Sequence, residues 1–231
     1  MKYLVLRLSA PLMSFGEGDY WDIRGTDVFP TKSAIVGIIS CCLGYDRSDT
    51  ENIAKLSDSI SVSARQDNQF TLLRDYHTIM DTMKANGEPN KNAVQSYRQY
   101  LMDAEFTILI SSADTSVYTQ IKEALLDPVW PIFLGRKSCS PAFPIFWNEE
   151  IDADNVEYAF KEIKLVRKKK EAVEFADFFK RKNNEATNKK FPCITDEKIT
   201  GKKTLTRDNV INSKLRIFSQ RETTKFFVEI N

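Results

Sequence analysis

Three groups of residues in this 231-residue chain are chemically suited to holding a phosphate. The first is Thr31-Lys32-Ser33, which follows Pro30 and precedes Ala34, Ile35, Ile38, Ile39, Cys42 and Leu43, apolar positions at helical spacing with Gly44 placed to end the run. A helix over about 33–43 directs its free N–H groups, the hydroxyls of Thr31 and Ser33 and the Lys32 ammonium toward one place, which favours an anion. A capped core helix with a solvated lysine has the same sequence, so both readings stand. The second group is Gly135-Arg136-Lys137-Ser138, set between two apolar runs in the proline-punctuated, extended stretch 130–147. The third is 161–190, where basic runs alternate with Phe175, Phe178 and Phe179 and a helix is expected near 173–181.

Other chemistries are narrowed by composition. His77 is the single histidine, which excludes zinc sites built on several histidines and a two-histidine ribonuclease mechanism. Cys41, Cys42, Cys139 and Cys193 lack metal-ligand spacing and are expected as free thiols, so neither a metal nor a cofactor is expected. Net charge is +1, yet residues 1–160 carry 14 Lys/Arg against 22 Asp/Glu and residues 161–207 carry 15 against 7. This asymmetry suits a later segment that meets a polyanion and an earlier part that offers acidic surface to protein partners; a Lys-rich solvated flank is the alternative. No stretch reaches about 18 uninterrupted apolar residues and the N-terminus lacks signal-peptide order, so a cytoplasmic protein is expected.

The elements that must position these groups alternate in type. Residues 1–8 read as a strand with apolar residues on both faces, followed by the long aromatic connection 9–29, which contains Arg24 and is expected to bind something. After the 33–43 helix come a short helix capped by Asp49 or Thr50, a strand through Ile60, Val62 and Ala64, and a short extended run 70–75. The sequence then turns polar to about residue 95. Residues 104–111 form the clearest strand, a helix capped by Asp114 or Thr115 runs to Leu126, and 160–166 is expected to supply the fourth strand. Two stretches, 210–219 and 224–230, read as a closing hairpin. The predicted fold class is α+β, a ferredoxin-like (RNA-recognition-type) β-α-β-β-α-β core with a β-rich basic C-terminal elaboration. The expected division is 1–160 for the core and 161–231 for an elaboration packed on it.

Several stretches taken together resemble the CasD subunits of the type I-E CRISPR Cascade complex, members of the repeat-associated RNA-binding proteins. They are residues 3–8, Phe29-Pro30-Thr31-Lys32-Ser33 with its helix and Leu43-Gly44, Leu73-Arg74-Asp75-Tyr76-His77-Thr78, Tyr97-Arg98-Gln99-Tyr100-Leu101-Met102-Asp103-Ala104, and residues 134–141 from Leu134-Gly135-Arg136-Lys137 onward. The match covers 1–147 and thins beyond it; the glycine-rich loop of many relatives is missing near the C-terminus. The resemblance implies a non-catalytic subunit that holds the 5′ handle of the CRISPR RNA, caps the foot of the effector, and touches the backbone, large PAM-reading and other Cascade subunits. Target DNA is met indirectly through the complex, with no membrane partner. It also implies a protruding thumb at 78–97, where Met80 and Met83 contact RNA or a neighbouring subunit.

Single-stranded RNA is held by stacking on aromatics and Arg planes while phosphates meet cations and helix N-termini. The candidate RNA-binding residues are therefore Arg24, Thr31, Lys32, Ser33, Arg74, Tyr76, His77, Arg98, Arg136 and Lys137. Relatives in the type I-C system cut repeat RNA by metal-free attack of a 2′-hydroxyl, which needs a base, an acid and a cation. Tyr76, His77 and Lys137 have that chemistry, so a metal-independent endoribonuclease is the alternative.

Overall fold

The computed structural model describes residues 1–16, 22–165 and 189–230. Strand β1 (Lys2–Ser9) lies inside a seven-stranded sheet, because its buried side chains, Arg7 excepted, are apolar on both faces. Leu4, Leu6 and Leu8 enter a core shared with helices α1 (Lys32–Leu43), α2 (Thr50–Ser59) and α3 (Thr115–Leu126). Tyr3 and Val5 enter a second core on the opposite face, beneath helix α4 (Val156–Glu162). A strand covered on both sides must be largely apolar, and the one buried charge here, Arg7, is answered by Glu149 at 3.1 Å and the Thr107 hydroxyl at 2.8 Å.

Three of the helices are capped as their sequences direct. Thr31 accepts from the Ala34 amide at 3.3 Å, Asp49 and Asp114 cap α2 and α3, and Gly44 ends α1 in the left-handed region with φ 73°. Strand β4 (Ile60–Gln66) pairs antiparallel with β7 (Glu105–Ser112), β7 with β1, and β1 with β8 (Phe146–Asp152). The strand expected at 160–166 is therefore corrected: β8 takes that place. Phe160 is helical, since Asn155 accepts from the Tyr158 amide at 2.9 Å and Val156, Ala159, Phe160 and Ile163 share a buried helical face. Of the 130–147 stretch, only its end joins a strand.

The chain after 188 extends the same sheet. Strand β9 (Lys189–Thr195) pairs with β4 on one side and β11 (Ile217–Ile230) on the other, and β10 (Lys202–Asn212) forms the edge. The closing hairpin turns between Asn212 and Ile217, inside the stretch expected as one strand over 210–219. The helix expected near 173–181, Phe175, Phe178 and Phe179 lie outside the described residues.

A second sheet stands apart from this one. Strand β5 (Thr71–Ile79) runs along the whole of β6 (Val94–Met102), while β2 (Leu12–Met13) and β3 (Ile23–Arg24) pair with successive parts of β6. The ladder continues to Ile79 and Val94, so the irregular part of the expected excursion is limited to the tip, where Met83 bridges Pro89.

Candidate nucleic-acid interface

At the N-terminus of α1 the expected phosphate position is already filled from within the chain. The Asp208 carboxylate, 2% exposed, accepts from the Lys32 amide at 2.6 Å and from Arg221 Nε at 2.6 Å. Lys32 is itself buried; its ammonium lies 3.5 Å from Asp196, which also accepts from the Val62 amide. Burial pushes the Lys32 pKa down, opposed in smaller part by Asp196. Thr31 is buried as the cap, and its hydroxyl lies 3.1 Å from that of Ser33. Where Thr31, Lys32 and Ser33 were expected to meet a phosphate, the helix terminus meets a carboxylate brought by β10. Nothing local to residue 32 signals a partner 176 positions away.

The other candidates collect on the small sheet, and strand alternation sorts them by face. On one face, Tyr76 is the cross-strand partner of Tyr97, with ring centroids 5.4 Å apart, and the Arg74 guanidinium lies 4.0 Å from the Tyr97 centroid. This makes a partly exposed cluster of one guanidinium and two phenol rings tilted 51° to each other, with Tyr76 48% and Tyr97 38% exposed. On the opposite face stand Asp75, His77, Arg98 and Tyr100, and β3 adds Arg24, the parallel partner of Arg98. His77 Nε2 lies 2.7 Å from Asp75 Oδ2.

Arg136 reaches that second face from the 130–145 loop. Its guanidinium lies 4.4 Å from the Tyr100 centroid, and Nη2 donates to the Arg24 carbonyl at 3.1 Å. The loop is held where only glycine fits: Gly135 has φ 89°, and a Cβ there would sit 1.6 Å from the Ser14 carbonyl oxygen. Ser14 in turn donates its amide to the Leu134 carbonyl and its hydroxyl to the Gln99 carbonyl, tying loop, β2 flank and β6 together. Lys137, next in the chain, is exposed. Tyr97 and Tyr100 were absent from the candidate set, although their alternation with Arg98 in a β-prone stretch is the signal that places them on opposite faces.

The groups considered for strand cleavage do not gather. Tyr76 and His77 are neighbours on one strand, so their side chains leave opposite faces of the sheet. At the tip, Met80 and Met83 are 67% and 77% exposed. Among the described residues, no group of three His, Cys, Asp or Glu side chains could hold a metal ion, and no helix is long and apolar enough to cross a membrane.

Comparison with known proteins narrows what this surface serves. The family model described as CRISPR-associated protein (Cas_Cas5) matches residues 3–198. Over 155 residues, 62% of this chain and 69% of the relative, the sequence is 34% identical to the CRISPR system Cascade subunit CasD of Escherichia coli (strain K12). A chain of a CRISPR RNA-guided surveillance complex superposes with a TM-score of 0.77 at 24% identity, covering 99% of this chain and 90% of that one. A Cas protein crystal structure superposes with a TM-score of 0.68 at 21% identity, covering 98% and 95%. At these identities the two superpositions speak to fold alone.

Proposed function

The chain belongs to the CRISPR-associated Cas5 family, and on that premise we propose that it is the non-catalytic subunit of a type I-E Cascade complex that holds the 5′ handle of the CRISPR RNA. It caps the foot of the effector in antiviral defence, with the backbone and large PAM-reading subunits as protein partners and target DNA met through the complex. The observation that carries the RNA role is the small sheet, which presents the Arg74 guanidinium over exposed Tyr97 on one face and holds the Arg136 guanidinium over buried Tyr100 on the other. Splayed bases stack on such planes while arginine donors take phosphate oxygens.

The strand order β8-β1-β7-β4, antiparallel throughout, supports reading residues 1–160 as a ferredoxin-like core with β5, β6 and their tip as its thumb. The continuous sheet supports reading 161–231 as an elaboration of that core, and the Cascade assignment implies a cytoplasmic protein. The endoribonuclease alternative is disfavoured by Tyr76 and His77 facing apart, since a base and an acid must both reach one scissile phosphate.

The test is copurification. Expressed with the other effector subunits and a CRISPR array, the chain should bring down RNA of uniform 5′ end. Purified alone with repeat RNA it should leave the RNA intact, and specific cleavage that vanishes in His77→Ala would transfer the assignment to the nuclease reading.

A further inference from the structure

We propose that Arg98 and Arg136 together hold one backbone phosphate of the bound RNA, on the Tyr100 face of the small sheet. This deepens the RNA-binding reading above and rests on it. Arg136 Nη2 is spent on the Arg24 carbonyl, and its plane lies against Tyr100, so the guanidinium is fixed at two points. Arg24 is the β3 partner of Arg98, and Tyr100 is two residues along β6 from Arg98 on the same face. Adjacent strands lie about 4.8 Å apart and alternate residues about 6.6 Å apart, so these two fixed points bring the Arg136 plane beside the Arg98 side chain.

Both arginines retain donors turned inward without an acceptor in the protein, Nε of Arg98 and Nη1 of Arg136. A buried donor without an acceptor is unfavourable, and an oxygen anion reached by rotation of the side chains relieves it. The charge of the face suits an anion. Within β5 and β6 its acidic group is Asp75, and that carboxylate lies against His77, leaving Arg24, Arg98 and Arg136 in excess. Two guanidinium groups approaching one point match the several oxygens of a phosphate. The stacked Arg74, Tyr97 and Tyr76 on the other face offer planes to bases. The phosphate contact carries register without sequence.

The experiment measures handle RNA binding by the full chain against salt concentration, in wild type, Arg98→Ala, Arg136→Ala and the double variant. Each single variant should weaken binding about tenfold, and the double variant should flatten the log-log salt slope by about 0.7, the value for one single-strand phosphate. Arg98→Lys and Arg136→Lys keep the charge; they should retain the slope while losing affinity, because lysine lacks the planar fork. A flattening of about 1.4 in the double variant would give each arginine its own phosphate and overturn the shared site. Loss that depends on one base identity with an unchanged slope would make it a base reader instead. If Arg74→Ala and Tyr97→Ala weaken binding while the Arg98 and Arg136 variants do not, this site fails and the RNA role stands. If wild type binds no RNA, the role itself fails.

Discussion

Asp208, Lys32, Asp196 and Arg221 form one network of three cation–carboxylate contacts sealed between α1 and the C-terminal strands. Removing one member leaves a buried charge uncompensated, which typically destabilises by about 3–5 kcal/mol. Asp208→Ala should lower the unfolding free energy from urea titration by that order, and Lys32→Ala should also destabilise while leaving the salt slope of RNA binding unchanged. A flattened slope in Lys32→Ala would restore the phosphate role that its sequence position suggests. A half-buried carboxylate next to Asp196, that of Glu197, yields a pH dependence. Burial raises the Glu197 pKa, outweighing the hydrogen bonds from Tyr3 at 3.1 Å and Ser111 at 3.4 Å. With the folded value above the unfolded one, the native state holds the proton more tightly, so this residue's contribution to stability falls as pH rises from the ordinary glutamate value through the raised one. Glu197→Gln removes that dependence. Urea titrations over about pH 4–7 should show the variant gaining stability relative to wild type with rising pH; parallel curves would contradict the raised value.

At the scale of elements, the hairpin of β5 and β6 separates stability from assembly. Residues 81–93 contribute no member to either buried core, and the ladder below them is complete from Ile79–Val94 to Thr71–Met102. Replacing 81–93 by a short Gly-Ser turn should therefore leave the cooperative melt nearly unchanged while reducing assembly with the backbone subunit and RNA, read by copurification. Unfolding would place the tip in the core; normal assembly and target binding would remove its thumb role. Gly135 makes the converse case. Gly135→Ala introduces both a strained φ and a collision with Ser14, so the loop must shift at a cost of about 2 kcal/mol or more. Since that loop carries Arg136, the melt and RNA affinity should fall together; an unchanged affinity would show that the loop's placement is not needed.

At the scale of the whole molecule, the C-terminal strands complete both the sheet and its second core. Phe226, Val228 and Cys193 pack with Tyr3, Val5 and Phe160, and β9 covers the edge of β4. Buried Arg65, 0% exposed, crosses the same layer, donating to the carbonyls of Phe160 and Ile163 at the end of α4 and to Asp67 at 2.6 Å. Ending the chain at residue 188 should thus yield an aggregating product rather than a stable core, measured by soluble expression and limited proteolysis; a folded 1–188 would contradict this. What the sequence determined by itself was whatever a short window encodes: the apolar run of β1, the caps Thr31, Asp49 and Asp114, the αL stop at Gly44, and the motifs of the family. These depend on neighbours within a turn or a ladder step, and they lie at their expected positions. Only tertiary structure decided that Lys32 meets Asp196 and Asp208, that β8 rather than residues 160–166 lies beside β1, and that Arg24, Arg98 and Arg136 share one face. Those outcomes join residues tens to more than a hundred positions apart, where the same cation can be solvated, paired or left with a free donor, and only the packed partner settles which.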